Sequence, residues 1–569
     1  MSRVGVFICH CGINIASTVD VERVAQMIGQ DPEVAFATDY KYMCSEPGQQ
    51  LVRETIAEYE LDGVVIAACS PSMHETTFRA AAAEAGLNLY RCEIANIREQ
   101  CSWVHQREPE KATEKAAEII RTIVEKVQRD EELVPFHLPV TRCALVIGGG
   151  VAGLGTALDI ADAGYPVVLV EREDRLGGKM ARLAGTYLNF EDAHDLLQSR
   201  IEEVLRHPNI EVVLESQVAN LEGYVGNFTV EVRGSEAESA NPRMFEVGAV
   251  VVATGWDPYP MEKLPEYGGG RLVDIVDGLT FEEMLKADGE LRRPSDGRLP
   301  REVVFVQCAG SRDPERGVSY CSKVCCMYVA KQAMMFKKRV PEGEAYIFYI
   351  DIRSAGRDYD EFVQQAMEEY DVLYLRGKVS KTFRRGDRVV VWGTDTLAGR
   401  SLEVEADLVV LATPMLPSEQ AAALAQTLRI QADRYGFYSE AHPKLRPVES
   451  LTAGVYLAGA GQGPKDIPEA VSQGSGAAAK VLRLFAQPEM IQEPTVAYVV
   501  EDLCSACGAC VTACPYEARE VHPVRRVATV NAALCQTCGA CVVACPNKAS
   551  RVHNWEPEQV LAMADVLTE

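Results

Sequence analysis

The stretch CALVIGGGVAGLGTALDIADAGYPVVLVERED, residues 143–174, restricts this chain more than any other. An apolar run, ALVIG, leads into Gly148-x-Gly150-x-x-Gly153. A helical stretch follows, then a second apolar run, PVVLVE, ending at Glu171. Strand, glycine turn, helix and strand in that order make a parallel βαβ unit. The acid about twenty positions beyond the glycines completes a dinucleotide-binding pattern. Gly148 permits the tight turn, Gly150 lets a pyrophosphate approach the backbone, and Gly153 lets helix pack on strand. Glu171 is placed to accept hydrogen bonds from ribose hydroxyls. A glycine triad alone is weak; with both strands and the acid it is specific.

Three later segments extend the pattern. RLGGKMA (175–181) carries Gly178 and Lys179, and AVVVATGWDP (249–258) carries Thr254 and Gly255 after a buried strand. GVYLAGAGQGPKDIPEAVSQGSGAAA (454–479) carries Gly459 and Ile467. Together they resemble the thioredoxin-reductase-like, two-dinucleotide-binding flavoproteins. That resemblance implies FAD on the first fingerprint, with the Ala458-Gly459 segment beside the flavin phosphates and ring. It also implies that the following helix aims its N-terminus at the flavin. Ala460 stands where those proteins usually have Asp.

Such flavoproteins have a second glycine fingerprint for a pyridine nucleotide. Here the strand REVVFVQ (301–307) runs instead into Cys308-Ala309-Gly310-Ser311. The glycine turn and the close backbone approach are both missing, so this subdomain should keep the topology and lack the nucleotide. Four thiols, Cys308, Cys321, Cys325 and Cys326, stand there in C-x12-C-x3-C-C spacing. The segment SKVCCMYVAKQAMMFKKR (322–339) predicts a helix, which would put Cys321 and Cys325 on one face. Cys326 would sit about 100° around it. Thiolates converging from two elements suit a [4Fe–4S] cluster. Zinc, a redox-active disulfide and buried unligated thiols are the alternatives. The cysteines downstream and the need of a flavin for a one-electron outlet favour the cluster.

Near the C-terminus CSACGACVTACP and CQTCGACVVACP repeat with a period of about 31 residues. Each reads C-x2-C-x2-C-x3-C-P, the pattern of two-cluster ferredoxins, in which the fourth cysteine of one run ligates the other cluster. One [4Fe–4S] cluster is expected on Cys504, Cys507, Cys510 and Cys545, and a second on Cys514, Cys535, Cys538 and Cys541. The N-terminal cysteines, Cys9, Cys11, Cys44, Cys69, Cys92 and Cys101, are scattered, several at strand ends or helix starts. They would form a further cluster, a partner surface, or only buried thiols.

The chain has 19 cysteines, mostly in tight spacings, which in a reducing cytosol favours metal over disulfides. A net charge of −25 argues against a nucleic-acid partner. No apolar run nears the roughly 20 residues of a membrane span, and the N-terminus lacks a signal peptide, so a cytoplasmic location is expected. With 569 residues, more than one core is expected. The fold class is α/β: a two-dinucleotide-binding Rossmann flavoprotein core, a small N-terminal α/β domain, and a C-terminal two-cluster ferredoxin domain. Boundaries fall at 1–140, 141–490 (second nucleotide-like subdomain about 301–405) and 491–569, the last closing in a terminal helix.

The segments GVFICHCG, KYMCSEPGQ, AACSPSMHE, ANIREQCSWVH and GQGPKDIPEAV, with the fingerprint and the C-x12-C-x3-C-C motif, closely resemble the A-subunit family of heterodisulfide reductases along almost the whole chain. The resemblance implies an oxidoreductase component with FAD and several [4Fe–4S] clusters: three here, with a fourth to be tested in the N-terminal domain. It implies flavin-based electron bifurcation, delivery to B- and C-like subunits, and a donor such as a hydrogenase, a formate dehydrogenase or an NADH-linked module. Ferredoxin as a further partner, and a homodimer within a larger complex, are implied too. Lys331 matches the lysine with which the family tunes its flavin, and Lys465 in GPKDIP is a second candidate. Methanogen members carry a ferredoxin domain inserted in the flavin unit; residues 180–302 contain no cysteine, so that insertion is absent. The rival expectations are a stand-alone NAD(P)H-dependent ferredoxin-type oxidoreductase, against which the missing second fingerprint counts, and a scaffold whose flavin is only structural.

Overall fold

Parallel strands are covered on both faces and so run apolar from end to end. Val4–Cys9 and Gly63–Ala68 are buried at every position. They form the centre of a four-stranded parallel sheet in the order Val34–Tyr40, Val4–Cys9, Gly63–Ala68, Cys92–Asn96. The structure, a computed structural model, describes residues 3–234 and 242–568. Its chain divides into two compact units, one of Met1–Leu138 with Ile491–Glu569 and one of Pro139–Met490.

In the first unit the N-terminal sheet is flanked by helices, the longest being Pro109–Gln128. The C-terminal repeat folds as paired short strands, Ala497–Val499 with Ser550–Val552 and Arg519–Val521 with Ala528–Val530. Equivalent positions share unusual backbone: Ala506 and Thr537, Gly508 and Gly539, and Glu517 and Lys548 all have positive φ. A terminal helix, Pro557–Asp565, packs on Pro109–Gln128. Lys126, almost wholly buried, holds that contact: its Nζ donates to Glu93 at 2.9 Å and Asp130 at 3.0 Å and lies 5.0 Å from the Trp555 ring. Gln559 Nε2 donates to Asp130 at 2.8 Å, and Asn554 exchanges two hydrogen bonds with the backbone of Glu131.

The second unit uses one plan twice. Its first lobe has a five-stranded parallel sheet in the order Val455–Leu457, Ala249–Val252, Ala144–Ile147, Val167–Val170, Ile210–Val213, with an antiparallel ribbon of Ser216–Tyr224, Asn227–Gly234 and Arg243–Val247. The second lobe repeats this with Ile275–Asp277, Leu408–Leu411, Glu302–Val306, Glu344–Tyr349 and Leu373–Arg376, and a ribbon over 379–406. The helix expected from residue 322 starts at Cys325 and runs to Arg339. Lys323 has φ +61°, a left-handed conformation that an α-helix cannot include. Cys321 therefore lies in the loop before the helix, not one turn back on its face.

Candidate functional site

The fingerprint turn is built by close contact. Gly148 has φ +108°, and a Cβ there would lie 2.5 Å from the Ala253 carbonyl oxygen. A Cβ on Gly153 would lie 1.9 Å from the Gly148 carbonyl oxygen, so only glycine lets the helix Val151–Asp162 start so close to the strand. Gly150, by contrast, faces open space. That space is a cavity of about 1620 Å³ in the second unit. Gly148, Gly150, Glu171, Gly178, Lys179, Thr254, Gly255, Gly459, Ile467, Lys331 and Lys465 all line it; Gly153 lies behind, as packing.

Glu171 differs from its expected role in one respect. Its buried carboxylate accepts from the backbone N–H of Gly149 at 2.6 Å and of Glu173 at 2.9 Å, so it first shapes its own loop. Each oxygen keeps a second lone pair for a ribose hydroxyl. Lys179 donates to Asp257 at 3.0 Å. Although burial pushes the Asp257 carboxyl up, the Glu419 N–H and Lys179 together hold it below the usual range.

Sequence reading missed Asp466. It caps the helix Ile467–Phe485, accepting from Glu469 N at 2.9 Å, and takes hydrogen bonds from the Tyr187 and Tyr359 hydroxyls at 2.8 and 2.7 Å. All three line the cavity, so a carboxylate borders it six positions past Ala460. The only signal was the capping box D-x-x-E, which is local and says nothing of the tyrosines.

Lys331 proves to be half of a buried ion pair. Its Nζ donates to Glu282 and to the Gly185 carbonyl, both at 2.7 Å. The other Glu282 oxygen accepts from Gln332 Nε2 at 2.7 Å. Gln332 Nε2 also donates to Gly278 O, so Gln332 Oε1 is left buried without a donor among the described residues. Lys465 donates to Gln462 at 3.3 Å, and burial lowers its pKa.

The thiol helix borders the same cavity. Val324, Cys325, Tyr328, Lys331 and Gln332 line it, spaced as one helical stripe. Cys308 follows the strand Glu302–Val306 with φ +57°, and Cys308, Cys321 and Cys326 all act electrostatically on Cys325. Backbone N–H groups of Lys323 and Arg353 donate to Cys321 and Cys326 at 3.3 and 3.4 Å. Burial pushes the free Cys326 thiol up to about 11. Gln307 Nε2 and the Tyr374 hydroxyl are buried without a partner among the described residues, with Gln307 Oε1 3.5 Å from Cys326 Sγ. Unpaired donors around converging sulfurs suit a cluster, whose sulfurs accept hydrogen bonds. Among the described residues no three His, Cys, Asp or Glu side chains are grouped to hold a single metal ion.

In the other unit the six N-terminal thiols separate. Cys9, Cys11, Cys44 and Cys69 lie at or just past the C-terminal ends of parallel strands and within electrostatic reach of one another: the Cys11 N–H donates to Cys9 Sγ at 3.2 Å, Cys44 acts on Cys9, and Cys11 acts on Cys69. Arg98 Nη1 donates to Cys11 Sγ at 3.3 Å. Cys92 is buried at the start of its strand, and Cys101 donates to Ala112 O at 3.0 Å. In the C-terminal repeat Cys504, Cys507, Cys510 and Cys545 line one small cavity of about 20 Å³. Ala528 N–H donates to Cys504 at 3.3 Å and, in the equivalent place, Ala497 N–H donates to Cys535 at 3.4 Å.

The cavity fits FAD: an open second glycine, a fingerprint acid, and a capped helix directed at it. Comparison with known proteins agrees. The pyridine nucleotide-disulphide oxidoreductase family matches residues 142–292, and a 4Fe-4S dicluster domain matches residues 497–546. The A-subunit of the H(2):CoB-CoM heterodisulfide,ferredoxin reductase of Methanothermobacter thermautotrophicus is 40% identical over 641 residues, covering 99% of this chain and 97% of its own. The second iron-sulfur A-subunit of the CoB-CoM heterodisulfide reductase of Methanopyrus kandleri is 39% identical, covering 91% of each chain. The A-subunit of the H(2)/formate:CoB-CoM heterodisulfide,ferredoxin reductase of Methanococcus maripaludis is 35% identical, covering 91% of this chain and 90% of its own.

Proposed function

Because this chain belongs to the family of heterodisulfide reductase iron–sulfur A-subunits, we propose that it relays electrons between a donor protein and B- and C-like subunits that reduce a disulfide. The chain is an oxidoreductase component with a FAD-binding core and a 4Fe-4S dicluster domain. Bound FAD would exchange electrons in pairs and [4Fe–4S] clusters singly. The chain's residues do the rest. Gly148, Gly150 and the N-terminus of Val151–Asp162 take the pyrophosphate, with Glu171 at the ribose. Asp466, fixed by Tyr187 and Tyr359, and the Lys331–Glu282 pair with Gln332 orient the ring and keep water from it.

The observation that carries this reading is the stripe from Cys325 to Gln332: one helix bears two of the four thiols and lines the flavin cavity. We assign clusters to Cys308, Cys321, Cys325 and Cys326, to the two ferredoxin sets, and to Cys9, Cys11, Cys44 and Cys69. The donor belongs to a class that the relatives' names give: hydrogen, formate or F(420)H(2) linked. The alignment to the Methanothermobacter relative is longer than this chain, so that relative carries residues missing here. With no cysteine in 180–302, a low-potential branch for bifurcation would come from another protein of the complex.

The test is iron and flavin per chain after purification without oxygen, with NADH offered alongside. About sixteen irons and one FAD, with no NADH oxidation, are expected. About twelve would remove the N-terminal cluster, and about eight the Cys308 cluster as well. Rapid NADH oxidation would replace the relay with a self-sufficient oxidoreductase.

A further inference from the structure

The C-terminal repeat keeps like residues at like places. Ala497 matches Ala528, Val499 matches Val530, Ala518 matches Ala549 and Val521 matches Val552. Position 519 breaks the symmetry: it is Arg519, and its mate 31 positions on is Ser550. Both are buried, Arg519 with 5% of its surface exposed. Arg519 Nη2 donates to the Ser550 hydroxyl. Its Nε and Nη1 have no partner among the described residues. The same arginine lines the cavity that Cys504, Cys507, Cys510 and Cys545 line, and no carboxylate lines it.

A guanidinium does not give up its proton, and burying it without a counter-charge is costly. The group that would offset this cost is negative, accepts hydrogen bonds and fits among those four thiols. A [4Fe–4S] cluster on four thiolates meets all three conditions. We propose that Arg519 is the buried counter-charge and hydrogen-bond donor of the cluster on Cys504, Cys507, Cys510 and Cys545, and sets its reduction potential above that of the cluster on Cys514, Cys535, Cys538 and Cys541. This rests on the ferredoxin reading above. Each added electron makes a cluster more negative, so a fixed cation beside it favours the reduced form. One electron leaving the second cluster reduces the first, and no proton moves. A repeat that would otherwise relay without preference thereby gains a resting end, on the Arg519 side.

The experiment uses the full chain, loaded and kept from oxygen, in a redox titration followed by electron paramagnetic resonance. The signal altered in Cys507→Ser identifies the cluster in question. In the native chain that signal should titrate at the more positive of the two ferredoxin potentials. In Arg519→Met it should become harder to reduce, shifting the electron partition between the two clusters at least tenfold, about 59 mV for one electron. Arg519→Lys should keep most of the native value. A marked signal at the more negative native potential overturns the proposal whether or not the variants load. So does an unmoved signal in Arg519→Met at full iron content, or an equal shift of both clusters. A native chain without dicluster signals would overturn the cluster reading itself, and the role of Arg519 with it.

Discussion

Lys331 and Glu282 show what a residue means apart from its neighbours. From sequence Lys331 is a cation near a flavin; in the fold its charge is met by Glu282 at 2.7 Å, both with only 2% of their side-chain surface exposed. The pair presents the cavity with an oriented dipole and N–H groups, not a bare charge. Removing one partner of such a pair strands the other in low dielectric. Lys331→Met should therefore cost about 3–5 kcal/mol. Lys331→Met with Glu282→Gln should recover most of that, since a neutral amide needs no counter-charge. Denaturant unfolding of the four chains in this double-mutant cycle checks it.

Among the elements, two helices start at the flavin cavity for different reasons. Val151–Asp162 is held by glycines that leave no room for a side chain, and Ile467–Phe485 by the Asp466 cap. Losing an N-cap costs about 1 kcal/mol, and Asp466→Ala also strands two tyrosine hydroxyls at about 1–3 kcal/mol each if they stay dry. In Asp466→Asn the single amide oxygen keeps the cap while the amide N–H2 replaces Oδ2 and can only donate to the tyrosine hydroxyls, so it should lose stability, though less than Asp466→Ala, in thermal unfolding of the FAD-bound chain. Equal losses would mean that the carboxylate charge, not the cap, fixes this helix. The helix Cys325–Arg339 behaves in the opposite way: periodicity extended it to residue 322, and the left-handed Lys323 stopped it. The loop that results lets Cys321 approach from outside the helix.

Across the molecule, the first and last segments of the chain form one unit around Lys126, Asp130 and Gln559. Burial outweighs Lys126 and raises the Asp130 pKa from 3.8 to about 7. Between about pH 4 and pH 7 the folded state then holds a proton that the unfolded chain has released. Stability of this unit should fall as pH rises through that window and level off above it. Asp130→Asn should flatten the slope, measured as the difference in Tm between pH 5 and pH 8. An unchanged difference would place the pH dependence elsewhere. None of the described helices is long and apolar enough to cross a membrane.

Local spacing was enough for the fingerprint glycines, the ferredoxin runs and the terminal helix, because each is enforced by contacts within a few residues or by a repeat. It also singled out Cys308, Cys321, Cys325 and Cys326, though not how they meet. Other features needed the packed chain, because they join residues far apart in sequence. Folding paired Lys331 with Glu282 across 49 positions and brought Tyr187 and Tyr359 to Asp466 across 279 and 107. It separated Cys9, Cys11, Cys44 and Cys69 from Cys92, since parallel strands gather their C-terminal ends at one edge and leave Cys92, at the start of its strand, at the other. Charge pairing and burial are properties of packed neighbours, and a linear pattern does not contain them.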